Sequence, residues 1–370
     1  MGVFRVELKK TVDDSYEIEV GRSLGQKLAD DLAGGLMGNL RRFAVITDSN
    51  VEPLYARPIC RKLLDAGFSG EIFSFPAGEK SKTRETKAEL EDRMLASGYR
   101  RDCFVIAVGG GVVSDLAGFL AGTFGRGVPF INYATTLLAA ADASVGGKTA
   151  VDTPLATNLI GLFNQPRKVY IDIDCWNTLP PREISSGLAE TIKHACMADR
   201  TFFDYLEEHM EEIRKVAPAA CEPMARRNCE IKYHVVMKDE RETGLREVLN
   251  LGHTVGRAVE TLSDYRLLHG EAVSIGLMAA CTLSEKMGYM ASEEVDRVRN
   301  LLDRAELPVW IPDYINREEL VRKLYTDKKV RNGRLRFVVP RCIGQIVEFR
   351  PGVFAEEISE QTVREVIREI

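Results

Sequence analysis

Two histidines and several carboxylates in the second half of the chain are residue types that bind a divalent metal. His253 ends the string LNLGH and His269 begins the string HGEAV, each at a predicted helix. Two neutral imidazoles and one carboxylate make an open three-ligand zinc site, which leaves room for substrate oxygens. Spacing alone leaves the carboxylate open among Glu190, Glu260 and Glu271. Ordinary helix caps and core-edge histidines are the alternative interpretation.

Polar and basic side chains lie beside these candidate ligands in the sequence. Arg246, Asn250 and His253 follow one another at helical turn spacings, so one face of one helix is predicted to present all three. Lys193 lies one turn after Glu190. A guanidinium and an amide next to a metal suit a phosphate or carboxylate ligand. A solvated helix surface is the competing explanation.

The most glycine-rich stretch of the chain, residues 109–149, is typical of a phosphate-binding turn. The apolar run Cys103–Val108 predicts a buried strand, and Gly109–Gly111 then leads into a helical pattern. Such a unit presents backbone N–H groups to a phosphate. The dinucleotide fingerprint is only partial because Ser114 occupies its third glycine position. The stretch therefore predicts a nucleotide or dinucleotide site, with Lys148 close to the bound anion.

These residues need elements to position them, and the first half of the chain alternates strand and helix patterns. Strands are predicted at residues 43–51, 71–78, 103–108 and 168–176, and residues 3–20 alternate like a half-exposed hairpin. This alternation predicts an α/β domain with a Rossmann-like parallel sheet. After Pro180-Pro181 the patterns are mostly helical, with one Asn-Gly hairpin turn in residues 331–339. We therefore predict domains at residues 1–180 and 181–370.

Composition excludes several classes of protein. The net charge of -5 over 370 residues argues against a nucleic-acid binder. No apolar run reaches the length of a membrane span, and the eight cysteines are scattered without CxxC pairs. We expect reduced thiols, a cytoplasmic location and no membrane partner.

Taken together, the motifs resemble the 3-dehydroquinate synthases, which are sugar phosphate cyclases. The matching strings are GGGVVSDLAGF, FGRGV, TTLLAAADASVGGKT, NLIGLFNQP, TLPPREISSGLAETIK, KDERETGLREVLNLGHT, LLHGEAVSIG and DKK. They occur in the family's order from about residue 43 to residue 330.

The resemblance implies an N-terminal NAD-binding domain and a mostly α-helical, metal-binding C-terminal domain. It also implies a carbon-oxygen lyase of the shikimate pathway that makes precursors of aromatic amino acids. Such an enzyme converts 3-deoxy-D-arabino-heptulosonate 7-phosphate to 3-dehydroquinate and phosphate. NAD-mediated transient oxidation, phosphate elimination, reduction, ring opening and an intramolecular aldol closure follow in that order.

The resemblance also assigns residues. It implies zinc, with cobalt as the alternative ion, held by Glu190, His253 and His269. It implies NAD+ contacts from Asp48, Asn50, Glu79, Lys82, Gly110, Gly111, Asp115, Thr135, Thr136, Asp142, Lys148, Thr178, Leu179 and Glu183. It implies substrate or catalytic contacts from Asp142, Lys148, Asn158, Lys193, Lys232, Arg246, Asn250, Arg257, Lys328 and Lys329. Arg126 is similar to the family arginine that reaches across a homodimer to the partner's substrate phosphate.

Two positions depart from the family pattern on the substrate side. Thr157 stands where the family usually has lysine, and Arg257 stands at the second histidine of GHTxGHA. Arginine keeps a positive donor there but cannot act as a base near neutral pH. Asp152, where many members have asparagine, is a milder change. These departures put substrate identity or rate in more doubt than the fold.

Three alternatives follow. One is a related cyclase acting on an uncarboxylated heptulose 7-phosphate, and another is a metal-dependent polyol dehydrogenase that accumulates NADH. The third is a catalytically inactive binding protein.

Overall fold

The structure, a computed structural model, describes residues 3–9, 11–325 and 335–370. Its first half alternates strands and helices. In order these are β1 (Glu17–Gly21), α1 (Gly25–Ala33), β2 (Arg42–Asp48), α2 (Arg57–Asp65), β3 (Ser69–Phe75), α3 (Arg84–Ala96), β4 (Cys103–Gly109), α4 (Gly111–Thr123), β5 (Phe130–Ala134), β6 (Lys148–Thr153), β7 (Ala156–Phe163) and β8 (Lys168–Asp172).

Six of the described strands form one sheet in the order β1-β8-β5-β4-β2-β3, and each neighbouring pair is parallel. In this sheet β3 lies on one side of β2, and β4, the next strand in the sequence, lies on the other side. This reversal makes the carboxyl ends of β2 and β4 the topological switch point, where open α/β sheets bind ligands. The predicted Rossmann-like domain is therefore confirmed, and its switch point directs the search for a site.

The sheet forms where apolar runs are buried on both faces. Every residue of β4 and of β8 is buried, as expected for central strands covered by helices on both sides. Gly109 ends β4, and Gly111 begins α4 after one extended residue. The predicted strand, turn and helix unit is thus present.

The predicted hairpin at residues 3–20 is wrong. Of the described residues before Glu17, none belongs to a strand, and β1 pairs parallel with β8 instead. The alternation of residues 16–20 did mark a strand, but a distant segment supplies its partner. A different hairpin went unpredicted: β6 pairs antiparallel with β7, just after the glycine-rich stretch.

The second half is mostly helical. Its elements are α5 (Pro181–Ala198), α6 (Arg200–Arg214), α7 (Pro218–Lys238), α8 (His253–Leu262), α9 (His269–Lys286), α10 (Ser292–Arg304), α11 (Arg317–Leu324), β9 (Arg336–Phe337), β10 (Pro340–Cys342), β11 (Gln345–Ile346), β12 (Glu356–Glu357) and α12 (Glu360–Glu369). The predicted Asn-Gly turn at residues 332–333 lies outside the described residues.

The predicted boundary at residue 180 falls between β8 and α5. Pro180 precedes α5, and Pro181 is its first residue, where a missing N–H costs nothing. The division into residues 1–180 and 181–370 stays a prediction. Among the described helices, none has the length and apolar character that a bilayer crossing requires.

Candidate active site

One cavity of about 1190 Å³ lies between the sheet and the helices of the second half. Its sheet side is the carboxyl edge: Asp48 ends β2, Glu79 follows β3, Gly110 follows β4 and Thr135 follows β5. Its other side includes His253 and residues of the neighbouring helices. The volume exceeds the roughly 300–1,000 Å³ of common ligand pockets. It can therefore hold a dinucleotide and a second small molecule together.

His253 and His269, which line this cavity, form a cluster with the buried Glu190, which is not among its lining residues. His253 Nε2 and His269 Nε2 each lie 3.5 Å from Glu190 Oε1. Donor atoms bound to one tetrahedral zinc ion lie about 3.4 Å apart, because each is about 2.1 Å from the metal. The Glu190 side chain is fully buried, and neither of its oxygens makes a well-directed hydrogen bond to a described residue. The three donors therefore fit a metal ion.

Hydrogen bonds orient both imidazoles toward Glu190. His253 Nδ1 lies 3.1 Å from the backbone oxygen of Leu251. A carbonyl oxygen can only accept a hydrogen bond, so Nδ1 is the donor and carries the proton. His269 Nδ1 lies 3.3 Å from both carboxylate oxygens of Glu260. Such outer contacts fix the tautomer and leave Nε2 for a metal. Glu260 thus orients a ligand, while Glu271 caps α9 and pairs with Arg182.

The charge balance of the cluster favours a cation. Burial alone would lower the pKa of His269, but Glu260 and Glu190 raise it to about 10. Burial would raise the pKa of Glu190, yet Lys193 and the two imidazoles hold it well below its usual value. The ion pair between Lys193 and Glu190 on one face of α5 agrees with their predicted spacing.

Glycines bring the three ligand-bearing helices together. A Cβ on Gly276 of α9 would lie 1.8 Å from the backbone oxygen of Gly252, the residue before α8. A Cβ on Gly270 would lie 1.8 Å from the backbone oxygen of Ser186 on α5. Gly252 itself has φ of 77°, a conformation that favours glycine. Only bare backbone at these crossings lets Glu190 approach both histidines.

A second acidic group next to this cluster is less suited to a metal. Asp142, Glu190 and His194 also place their donor atoms within 4.8 Å of one another. Lys232 Nζ lies 2.6 Å from Asp142 Oδ1, and Lys193 pairs with Glu190, so both carboxylates already face ammonium groups. A second divalent ion would sit beside two lysines. The Glu190, His253, His269 set is therefore the better site.

At the switch point, the turn before α4 has the form of a phosphate cradle. Gly110 and Gly111 line the cavity where the first N–H groups of a 13-residue helix begin. A Cβ on Gly110 would lie 3.0 Å from Thr136 Cγ2, and one on Gly111 would lie 3.2 Å from Ala143 Cβ. Glycine thus keeps the backbone close to its neighbours at a helix N-terminus that lines the cavity, where N–H groups are available to an anion despite the incomplete fingerprint.

A buried lysine with three carboxylates lies beside this turn. Lys82 forms ion pairs with Glu79, with Asp115 at 3.5 Å and with Asp152 at 3.7 Å. Burial raises the pKa of Asp115 to about 7, although Lys82 opposes the shift. Asp152 also accepts a 2.7 Å hydrogen bond from the backbone N–H of Asn158. Three carboxylates surround a single ammonium group, so the cluster has more hydrogen-bond acceptors than Lys82 has donors. The remaining acceptors suit the hydroxyls of a ribose or another sugar.

The opposite end of the cavity is basic. The side chain of Lys232 contacts Asp142, and Lys193 Nζ donates to the backbone oxygen of Leu249 at 3.0 Å. Arg246 is 1% exposed and donates from Nη2 to the backbone oxygen of Gly146 at 2.9 Å. Its Nε has no hydrogen-bond partner among the described residues. A buried guanidinium with a spare donor suits an anionic group.

Glu242 is a site residue that the sequence did not single out. Its carboxylate pairs with Lys148 and accepts a 2.7 Å hydrogen bond from Asn250 Nδ2. Its φ of 58° lies in the left-handed region that a non-glycine residue seldom adopts. Glu242 lies in the string KDERETGLREVLNLGHT, which carries part of the family resemblance, but only its backbone conformation and its contacts reveal it as a residue of the cavity.

The cavity brings together most of the predicted site residues. Its lining includes every residue implied for NAD+, together with Asn158, Lys193, Lys232, Arg246, Asn250, Arg257, His253 and His269. Arg126 is exposed with φ of 70° and is not among the lining residues. Lys328 and Lys329 lie outside the described residues.

The prediction that Arg246, Asn250 and His253 share one helix face is wrong. Arg246 and Asn250 belong to a short 3₁₀ segment, Leu245–Asn250, whereas His253 is the first residue of α8. The left-handed Gly252 separates the two elements. The three side chains nevertheless line the same cavity.

Comparison with known proteins gives a consistent result over most of the chain. A family described as 3-dehydroquinate synthase N-terminal matches residues 72–186, and one described as 3-dehydroquinate synthase C-terminal matches residues 187–330. A 3-dehydroquinate synthase of Desulforamulus reducens is 42% identical over 351 residues, covering 95% of this chain and 96% of the relative. One of Idiomarina loihiensis is 44% identical, covering 90% of this chain and 91% of the relative.

Solved structures with the same architecture include two other cyclases. The 2-epi-5-epi-valiolone synthase of Streptomyces hygroscopicus, with NAD+ and Zn2+ bound, superposes with a TM-score of 0.88 at 28% identity, over 99% of each chain. A 2-deoxy-scyllo-inosose synthase complexed with carbaglucose-6-phosphate, NAD+ and Co2+ has a TM-score of 0.86 at 24% identity, covering 95% of this chain and 96% of that one. The latter likeness concerns the fold alone.

Proposed function

The chain belongs to the 3-dehydroquinate synthase family, and from this premise we propose that it converts 3-deoxy-D-arabino-heptulosonate 7-phosphate to 3-dehydroquinate and phosphate. It is a phosphate-eliminating carbon-oxygen lyase. The observation that carries the proposal is the single cavity that joins the glycine turn at Gly110 to the Glu190, His253, His269 cluster. A reaction that oxidises, eliminates and reduces at one bound sugar needs both parts next to each other.

NAD+ and a divalent metal, Zn2+ or Co2+, are the cofactors of this proposal. When bound, they supply a reversible hydride acceptor and a Lewis acid that stabilises negative charge on substrate oxygen. Gly110 and Gly111 hold the pyrophosphate, and Glu190, His253 and His269 hold the metal. The remaining NAD+ contacts come from residues that line the same cavity, at Asp48, Asn50, Glu79, Lys82, Asp115, Thr135, Thr136, Asp142, Lys148, Thr178, Leu179 and Glu183.

The basic end of the cavity binds the two anionic groups of the substrate. Lys193, Lys232 and Arg246 are buried and charged, so they attract a carboxylate and a phosphate into a site with little water. Fixed cations also stabilise negative charge that develops during elimination without reorganising. Asp142, Lys148, Asn158 and Asn250 orient the sugar hydroxyls, and the Lys328-Lys329 pair completes the set.

Glu242 adds a carboxylate at the substrate end. It contacts Lys148 and Asn250, two residues that approach from opposite halves of the chain. With its oxygens turned to the cavity, it holds Lys148 in place and can accept a proton from a substrate hydroxyl.

Arg126 supports a homodimer in this proposal. It is exposed and is held in a left-handed conformation between two glycines that also have positive φ. Such a fixed, outward arginine suits a contact with a phosphate in a neighbouring copy. All eight cysteines are unpaired, as thiols are in a reducing compartment, and we place the enzyme in the cytoplasm.

A second candidate keeps the scaffold and changes the substrate. Thr157 and Arg257 both line the cavity, and both depart from the family pattern. A structural neighbour at 28% identity is a 2-epi-5-epi-valiolone synthase. The alternative is therefore a cyclase for an uncarboxylated heptulose 7-phosphate.

Phosphate release distinguishes these functions. Purified protein with NAD+ and Zn2+ is incubated with the heptulosonate 7-phosphate or with an uncarboxylated heptulose 7-phosphate. We expect phosphate from the carboxylated sugar and no net NADH. Release from the uncarboxylated sugar only would establish the second candidate. Steady NADH accumulation without phosphate would instead indicate a polyol dehydrogenase, and no reaction with a metal-loaded protein would indicate a binding protein.

A further inference from the structure

Tyr265 lines the cavity, but neither the proposed reaction nor the family resemblance gives it a role. It lies in the turn between α8 and α9. Its side chain is half-buried, and its hydroxyl makes no hydrogen bond to a residue within the described ranges. A phenol that faces a ligand cavity in this way has its donor available for a ligand.

The backbone at Tyr265 adopts a conformation that costs energy. Asp264 and Tyr265 are consecutive non-glycine residues in the left-handed region, with φ of 53° and 56°. The buried Ser263 holds the turn, because its Oγ donates to the backbone oxygen of Glu260 at 2.7 Å and accepts from the N–H of Leu267 at 3.2 Å. Strain that the surroundings maintain in this manner is typical of binding sites.

The turn brings Tyr265 near the acidic cluster around Lys82. Glu79 and Asp152 of that cluster line the same cavity. Burial raises the pKa of the Tyr265 phenol, and the carboxylates of Asp152 and Glu260 raise it further. The hydroxyl therefore stays protonated near neutral pH and is a donor beside groups that only accept. A ribose hydroxyl both donates and accepts, so a carboxylate and a phenol together satisfy it.

The neighbours of Tyr265 link the metal cluster to the glycine turn. On the metal side, the Tyr265 N–H donates to the backbone oxygen of Glu260 at 3.4 Å, and the Glu260 carboxylate contacts His269. On the other side, Lys82 pairs with Asp115 of α4, the helix that begins at the glycine turn. The nicotinamide ribose connects the pyrophosphate of NAD+ to the ring that must reach the substrate. It is therefore the ribose that Tyr265 can contact.

We propose that Tyr265 donates a hydrogen bond to the nicotinamide ribose of NAD+. The turn between α8 and α9 thereby contributes to cofactor binding from the helical half of the chain, opposite the sheet edge that holds the pyrophosphate. Groups from both halves then hold this ribose and fix the nicotinamide ring next to the metal ligands. The inference rests on the proposed function for the identity of the cofactor, so its test measures binding and not turnover.

Fluorescence titration with NADH tests the contact. For the zinc-loaded chain, loss of one hydrogen bond in Tyr265→Phe should raise the Kd of NADH about 3- to 10-fold, with zinc content and Tm unchanged. Tyr314→Phe is the matched control and should keep the original Kd, because the exposed Tyr314 contacts Arg266 of the same turn but is not among the lining residues.

An unchanged Kd in Y265F would overturn this inference alone. A parallel loss of zinc or of Tm in Y265F would trace the effect to the fold and would also overturn it. An unaltered chain that binds no NADH would overturn the proposed function together with the inference.

Fragments of the cofactor test which ribose Tyr265 contacts. ADP-ribose carries both riboses of NAD+, whereas ADP carries only the ribose attached to adenine. Competition against NADH gives the affinity of each fragment for the unaltered chain and for Y265F. We expect Y265F to weaken ADP-ribose by the same factor as NADH and to leave ADP unchanged. Equal weakening of both fragments would contradict a contact with the nicotinamide ribose.

Discussion

At the scale of single residues, position within the cluster distinguishes three carboxylates that residue spacing alone left open and among which the family resemblance favoured Glu190. Glu190 approaches both imidazoles, Glu260 contacts only the outer nitrogen of His269, and Glu271 pairs with Arg182. The three glutamates therefore occupy different positions although they share one chemistry: Glu190 is placed to bind a metal, Glu260 is placed to orient His269, and Glu271 caps a helix.

The different positions of Glu190 and Glu260 predict different losses of zinc binding when each is replaced. Glu190→Gln removes a charged ligand atom and should abolish stoichiometric zinc, with loss of activity. Glu260→Gln should lower zinc affinity by roughly 10- to 100-fold, as removal of a ligand's hydrogen-bond partner does. Metal content after dialysis and competition with a chromogenic chelator measure both. Full zinc occupancy in E190Q would refute the assignment.

Glu242 predicts a change in pH dependence. Burial lowers the pKa of Lys148, and Glu242 opposes this shift, with Arg246 and Asp142 also facing the ammonium group. Removing the anion in Glu242→Gln lets the pKa fall further, so Lys148 loses its charge at a lower pH. We expect kcat/KM to drop roughly 10- to 100-fold, with its alkaline limb moved to lower pH.

The matched control for E242Q is Glu247→Gln, which removes one negative charge nearby from a residue that pairs with Arg336. Its pH profile should keep the alkaline limb of the unaltered enzyme. Identical profiles for E242Q and the unaltered enzyme would show that Glu242 does not act on Lys148.

At the scale of elements, the site depends on helix crossings that have no room for a side chain. α9 meets the start of α8 at Gly276 and meets α5 at Gly270. The sequence shows these only as two glycines in a helical pattern, where glycine is ordinarily unfavourable. Their role becomes evident from the backbone oxygens of the neighbouring helices that a Cβ at either position would overlap.

Gly276→Ala should therefore separate α8 from α9. The added methyl would overlap the backbone oxygen of Gly252, and the chain must move to accommodate it. We expect a loss of about 1–3 kcal/mol in unfolding free energy and weaker zinc binding, because His253 moves with α8. Chemical denaturation and zinc titration measure these effects.

Gly25→Ala is the control for G276A, since its Cβ would have no neighbour closer than 3.6 Å. That variant should retain its stability and its metal. If G276A bound zinc as tightly as the unaltered chain, the crossing would not be what sets the ligand geometry.

At the scale of the whole molecule, the cavity joins the carboxyl edge of the sheet to the helices. The three candidate metal ligands lie on three helices, α5, α8 and α9, and the glycine turn follows β4 of the sheet. A ligand that contacts both sides of the cleft stabilises both parts of the chain, whereas a metal bound by Glu190, His253 and His269 stabilises the fold through the helices that carry them.

Removal of metal should therefore destabilise the entire fold. Zinc at about 100 times its Kd contributes about 2.7 kcal/mol, which corresponds to a shift of about 3 °C for a chain of this length. Chelator should lower Tm by that amount in calorimetry, and added zinc should restore it. E190Q should show no response to either addition. A Tm independent of metal in the unaltered protein would contradict the predicted site.

The sequence by itself determined the fold class and the chemistry of the site. Apolar runs such as Cys103–Val108, and strings such as GGGVVSDLAGF, are local patterns that specify a buried strand and a phosphate turn. The candidate ligands His253 and His269 could also be identified, because histidines are few and both lie at predicted helices.

Only the tertiary structure decided which distant groups meet. The contacts of Glu242 and Glu260 and the acids around Lys82 depend on helix crossings and strand order. The sequence pattern predicted a hairpin for residues 3–20, but the strand at residues 17–21 pairs with β8, which lies about 150 residues away in the sequence. Alternation reports which face is buried but not which segment covers it, since that contact is set by packing of the whole chain.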